Sequence, residues 1–209
     1  FKTEVLMNFM TNHPDFDDFG ADVIPAAIKT HAVYGYDFDG YWKDIGTIRS
    51  FYDTNLQMTE ADSPFNFYDP KQPIYTNSRV LPGSIVEDSR LKDVLLSEGC
   101  RIQKAEITHS VVGVRSQIRA GTRIKNSILM GSDYYEQPGK SNEIQLGVGP
   151  KCDIEGAILD KNVRLGKGVV VRPFPRGTDR DTDTWVVRDG IVVIPKDAQI
   201  PTGTVIAPK

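Results

Sequence analysis

The chain has 209 residues, 39% of them hydrophobic and 25% charged, with a net charge of −3, the profile of a globular protein of one or two domains. No apolar run approaches the ~18 residues of a membrane-spanning helix, and no signal-peptide pattern opens the sequence. Up to Arg79 there are 6 Lys+Arg against 12 Asp+Glu, and beyond it 19 against 16; that basic excess is too weak for a nucleic-acid surface and suits a local site for a small anion.

The opening FKTEVLMNFM starts on Phe1 and reads as the middle of a domain, so a longer chain is expected. Val5, Phe9 and Met10 have helical spacing over Glu4 to Thr11. The acidic NHPDFDDFGADVIP is expected to be a loop, leading into a short helix over Ile24 to Thr30. HAVYGYDFDGYW alternates aromatic and polar residues, which predicts one or two strands turning at Asp39-Gly40. Thr47 then caps a helix that carries Ile48, Phe51, Tyr52 and Leu56 on one face. Four prolines, Pro64, Pro70, Pro73 and Pro82, mark an extended linker. The division is residues 1–62, a linker over 63–84, and a second domain over 85–209.

That second domain keeps a beat. Aliphatics fall at Leu96, Ile102, Ile107, Val112, Ile118, Ile124 and Leu129, in steps of 5 or 6 residues. A helix needs i, i+3, i+4 and i+7, and a long strand needs alternation, so neither fits. Repeated steps of this length predict a parallel β-helix in which short strands form flat sides joined by tight turns. The turn residues support it: Gly99, Gly121, Gly168, Gly203, Asn162, Asp88 and Asp197 are types that accept a left-handed backbone. The residue that follows is small (Ser89, Cys100, Thr122, Ala198, Thr204), as a tapering corner requires. Cys100 and Cys152 are read as buried thiols on such positions rather than a disulfide. Two insertions interrupt the beat, SDYYEQPGKSNEIQLG and RPFPRGTDRDTDTW. It resumes at Val148, Ile154, Leu159, Leu165 and Val171, and ends on Ile194, Ile200 and Ile206.

Among candidate chemical residues, Asp44 in GYWKDIGTI stands between aromatics and a helix-starting turn. A carboxylate there suits Mg²⁺, which takes one or two carboxylates together with phosphate oxygens; by itself, an Asp before a Gly turn is more often a cap. There is no zinc-type Cys/His cluster, no G-x-S-x-G and no P-loop. His109 is read as a surface residue.

DFGADVIPAAI, DGYWKDIGTIRSFYDTNL, FNFYDPKQPIYTNSRVLP, ITHSVVGVRS, LMGSDYYE, GVGPKCDIEGAILDKNVRLGKGV and GIVVIPKDAQIPTGTVI together resemble the C-terminal half of the ADP-glucose pyrophosphorylase (glucose-1-phosphate adenylyltransferase) family, in wording nearest the plant and algal large subunits. The resemblance implies the end of a Rossmann-like α/β nucleotidyltransferase domain followed by an all-β left-handed parallel β-helix. It implies the conversion of ATP and glucose 1-phosphate to ADP-glucose and pyrophosphate for starch or glycogen synthesis, with Mg²⁺ held by Asp44 as the catalytic, metal-binding aspartate. Trp42 and Asp22 would bind substrate. Arg79, Asp160, Lys161 and Lys196 would bind the effectors, 3-phosphoglycerate and orthophosphate. Sister subunits completing a hetero- or homotetramer are the expected partners, with neither nucleic acid nor membrane. The expected location is the plastid stroma if the source is plant or algal and the cytoplasm if bacterial. The family's first metal aspartate, Gly-rich loop and sugar-phosphate lysine would precede Phe1, so these residues alone are expected to be inactive.

Some positions depart from the family wording. Ala21 and Asp22 stand where it has Ser and Glu, and 172–184 is richer in Arg and Asp. The alternatives are another sugar-nucleotide pyrophosphorylase, a non-catalytic regulatory subunit, and a β-helix acyltransferase working through a histidine.

Overall fold

The computed structural model describes residues 1–137 and 143–208, which divide into two compact units, 1–40 and 41–209. In the first, α1 (Thr3–Asn12) and α2 (Ile24–Thr30) bury Phe9, Val23 and Ala27 against Val5, Leu6 and Phe16. The expected loop between them is partly helical. A π-helical turn over Phe19–Val23 runs into α2, because the Asp18 carboxylate caps it by accepting the Ala21 N–H at 2.6 Å. The strands expected over 31–42 do not form. A strand needs a pairing partner, and among the described residues none pairs with this segment.

In the second unit, α3 (Ile48–Gln57) starts where the sequence places it. The Thr47 hydroxyl accepts from the Ser50 N–H while the Ser50 hydroxyl accepts from the Thr47 N–H, a reciprocal capping box. Residues 61–84 carry turns and extended backbone, and from Ile85 the coils begin.

The coils are three-sided, except the last, which has two strands among the described residues. The first side stacks Ile85–Glu87, Arg101–Gln103, Gln117–Ile118, Gly147–Val148, Arg164–Leu165 and Gln199–Ile200 as parallel neighbours. The next two sides come from single bent strands in the early coils, Arg90–Leu96, Glu106–Val112 and Arg123–Leu129. These bend at Asp93, His109 and Asn126, with φ of 54°, 45° and 47°. Farther on, Asp153–Glu155 and Ala157–Leu159 are separate strands with Gly156 (φ 68°) at the bend. At the remaining corners Asp88, Gly99, Gly121, Asn162, Gly168, Asp197 and Gly203 have positive φ as expected from sequence, whereas Lys104, Arg115 and Lys151 take it as well without being of a type that favours it.

In-register pairing turns the sequence beat into columns. Ile107, Ile124 and Ile154 stack on one side, and Val112, Leu129, Leu159 and Ile194 on another. These side chains are essentially inaccessible. Cys100 and Cys152 sit among them as free thiols, and burial pushes both thiol pKa values up.

The third side also has an apolar outer face. Val111, Ile128, Ile158 and Val193, each one residue before an inward aliphatic, form a column pointing outward. Helix α3 covers it with Phe51, Tyr52 and Leu56, joined by Ile191. The Tyr52 hydroxyl donates to the Asn126 carbonyl, and burial pushes its pKa up to about 12.

The second insertion, expected over 172–185, runs on to Gly190 and is not a plain loop. Arg180–Asp181, Val186–Arg188 and Ile191–Ile194 form an antiparallel meander, with Asp189 (φ 48°) and Gly190 (φ 81°) making its tight turn. Aspartate followed by glycine between β-branched runs carried that signal in the sequence.

Candidate functional site

Register explains why two lysines 35 positions apart in the sequence meet. Leu159 pairs with Ile194, so Lys161 and Lys196 occupy the same corner of successive coils; the Asp197 N–H donates to the Lys161 carbonyl at 2.9 Å. On the preceding coil, Asn162 N–H donates to the Gly131 carbonyl at 3.1 Å, and there the first insertion departs. Its Asp133 returns to the corner. Lys161 Nζ lies 2.8 Å from Asp133 Oδ1 and Lys196 Nζ 2.9 Å from Oδ2. Asn162 adds a 3.3 Å donation to Oδ2, while its own oxygen accepts the Asp133 N–H at 2.8 Å. The Lys161 bond first, and the Lys196 bond next, hold the Asp133 carboxyl far below the usual carboxylate range; in return Asp133 raises Lys196.

The insertion carrying Asp133 is pinned a second time. Arg164, a buried guanidinium, reaches Glu136 at 2.7 Å and the Ile144 carbonyl at 2.9 Å, and Glu136 accepts the Leu146 N–H at 2.9 Å. Burying an arginine is tolerated here because each contact is charge-assisted.

The other residues picked from sequence are spread out. Asp160 is at the lysine corner, where its carboxylate accepts the Lys161 backbone N–H at 2.7 Å. Arg79 is exposed in the segment before the coils and makes no hydrogen bond or ion pair to the described residues. Asp22 lies in the first unit, where its carboxylate accepts the Asp18 N–H at 3.1 Å and the Asp17 N–H at 3.3 Å. Trp42 and Asp44 are exposed residues of the second unit. Asp133, Glu136 and Arg164 went unnoticed because the insertion holding the first two breaks the beat, and Arg164 takes a place in a strand.

Asp44 Oδ1 accepts the Gly46 N–H at 2.9 Å and so shapes the turn into α3. Its other oxygen makes no hydrogen bond among the described residues, which is compatible with a single carboxylate donor to a magnesium ion. No group of three or more His, Cys, Asp or Glu among the described residues could hold an ion unaided.

His109 is not a plain surface residue. Its backbone makes a corner, its Nδ1 is 2.8 Å from the Asn126 side-chain oxygen, and its Nε2 is 3.6 Å from Glu60. With Nδ1 hydrogen-bonded to Asn126 and Nε2 near Glu60 in α3's trailing segment, the imidazole is half-buried rather than fully exposed.

Two family models match the chain. One, for nucleotidyl transferases, spans residues 1–61, and the other, for the GLGC left-handed parallel β-helix domain, spans residues 79–205, well over half of the whole. These are the domain pair of ADP-glucose pyrophosphorylase, and the three-sided parallel coils agree with the second of them. The chain therefore belongs to the GLGC left-handed parallel β-helix family and carries nucleotidyltransferase sequence ahead of it, the make-up of a sugar-nucleotide pyrophosphorylase of the ADP-glucose type.

Proposed function

We propose that the protein is a subunit of a glucose-1-phosphate adenylyltransferase, making ADP-glucose and pyrophosphate from ATP and glucose 1-phosphate under control by 3-phosphoglycerate and orthophosphate. A phosphate oxygen of glucose 1-phosphate attacks the α-phosphorus of ATP. The bond from that phosphorus to the bridging oxygen breaks, and pyrophosphate leaves. Asp44, fixed by the Gly46 N–H, presents one carboxylate oxygen at the mouth of α3 as a metal ligand. Bound Mg²⁺ would supply charge neutralisation on the phosphates. Trp42 and Asp22 are assigned to the substrate side.

The observation that carries the regulatory half is the lysine corner. Two ammonium groups on adjacent coils converge on the two oxygens of one carboxylate, an arrangement that fits the oxygens of a phosphate equally well. Asp160 and Arg79 are assigned to the same effector site, with Asp133 as the internal anion that an effector replaces. Sister subunits in a tetramer, and a plastid or bacterial cytoplasmic location, complete this reading.

Asp44→Asn in the full-length assembled enzyme tests it. Turnover to ADP-glucose is expected to fall by about two orders of magnitude with assembly intact. Retained turnover would remove Asp44 and the metal assignment. Formation of product from UTP or GTP but not ATP would redirect the reading to another sugar nucleotide.

A further inference from the structure

The sequence places an arginine where a helix does not favour one. Arg49 is the second residue of α3, and a cation in the first turn opposes the positive end of the helix dipole. The structure supplies the reason it is there. Arg49 Nε donates to Asp189 Oδ2 at 2.8 Å, and a second guanidinium nitrogen donates to the Asp189 carbonyl. Two donors of a planar fork thus hold one residue, a geometry an ammonium cannot copy. The contact spans 140 positions of sequence. Asp53 lies one turn along at 3.5 Å and is the weaker partner.

Asp189 is itself held before it meets Arg49. It occupies the tight turn with Gly190, its Oδ1 accepts the Gly177 N–H at 2.7 Å, and its own N–H donates to Asp179 at 2.8 Å. The second insertion therefore presents a pre-oriented acceptor, with Arg176 3.7 Å away on its solvent side. The Arg49 bond, followed by the Gly177 bond, lowers the Asp189 carboxyl pKa, so it is an anion at neutral pH.

On the other side of Arg49, the first turn of α3 is continuous with Asp44. The Asp44 turn onto Gly46 leads directly into the Thr47–Ser50 capping box. Farther along, Tyr52 and Leu56 anchor the helix to the coils; Arg49 is the anchor nearest Asp44. We propose that Asp189 is a positioning residue for the Asp44 carboxylate, acting through Arg49 to seat the first turn of α3. This rests on the reading of Asp44 as a metal ligand and extends it to an insertion of the β-helix domain.

The test uses Arg49→Gln, Asp189→Asn and the double variant in the full-length assembled enzyme, with Mg²⁺ titrated against initial rate. Each single variant is expected to raise the half-saturating Mg²⁺ concentration about threefold to tenfold, less than the roughly 10–100-fold of contacts made directly to a metal ligand, because Asp189 acts through Arg49 and the helix turn. The double variant should be no worse than the singles. Arg49→Lys, which keeps the charge but not the fork, should fall between. Thermal unfolding run in parallel separates this from loss of fold, and Asp189→Asn keeps an acceptor for Gly177 should Arg49→Gln prove unstable. Unchanged Mg²⁺ saturation in both single variants, or an additive double variant, overturns the proposal. Asp44→Asn distinguishes the two layers: full turnover there removes the metal reading as well, whereas lost turnover there beside unchanged saturation in Arg49→Gln overturns only the positioning role.

Discussion

Lys196 and Asp133 meet at 2.9 Å across a corner that three coils share, and Lys161 holds the other oxygen of the same carboxylate at 2.8 Å. The two cations on this corner thus already share one anion of the chain's own. Any phosphate binding there competes with Asp133, and that competition sets the concentration at which it binds.

Replacing Asp133 with Asn leaves the lysine pair without its internal counter-ion. In the assembled enzyme the half-maximal concentration for orthophosphate should fall about tenfold, the equivalent of roughly 1.4 kcal/mol. A phosphate titration of activity measures it directly. An unchanged midpoint would mean that phosphate acts somewhere else.

The converse substitution, Lys196→Ala, removes one of the two donors. Lys196 is about half exposed, so the variant should still fold, losing only the contribution of its pair with Asp133, while the 3-phosphoglycerate activation curve moves about tenfold to higher concentration. A superimposable activation curve would take Lys196 out of the effector site.

Acid should find the ion pairs before it finds the core. Asp133 is depressed by Lys161 and Lys196, and Asp189 by Arg49 and the Gly177 N–H. Burial alone would raise Asp153, yet Arg172 and Arg123 together bring it below its usual value. A carboxyl with a lowered folded-state pKa stabilises the fold fully above its unfolded pKa of about 4, and that contribution fades as pH falls toward the folded value. The unfolding temperature should therefore drop between about pH 5 and about pH 2, and less steeply in Asp133→Asn than in the unchanged protein. Parallel curves would show that this carboxyl adds nothing on folding.

An aliphatic inside the coils and one on the outer face of the third side should differ in what they cost. Ile154, fully enclosed in the coil stack, is expected to lose about 2–5 kcal/mol on truncation to alanine, measured by denaturant unfolding. Ile158 lies under α3 instead. Truncating it should chiefly loosen α3, seen as faster hydrogen exchange over residues 48–57 with the coil amides still protected. Equal exchange in helix and coils would contradict that separation.

Local chemistry was enough for the architecture. One aliphatic per side, a residue tolerant of positive φ at many of the corners and a small residue after it leave few folds other than a stack of short parallel strands, and Ile102, Ile118 and Ile200 all point inward as that beat requires. The start of α3 was likewise written in Thr47 and Ser50. The sequence also showed a second, unread signal: the paired aliphatics Val111-Val112, Ile128-Leu129 and Ile158-Leu159 leave one of each pair facing outward, where something must cover it.

Strand register decided the rest. Lys161 and Lys196 are neighbours only because Leu159 pairs with Ile194, and Asp133 joins them only because its insertion leaves the coil at the same corner. Arg49 and Asp189 have no local relation whatever; docking a helix on the third side brings them together. Over residues 31–42 the alternation of aromatics implied strands, yet a strand exists only when another offers its backbone groups, and here none does among the described residues. Hydrophobic periodicity and turn chemistry act within a few residues and can be read in order along the chain. Ion pairs and strand partners depend on which coil stands beside which, and that is decided only when the stack closes.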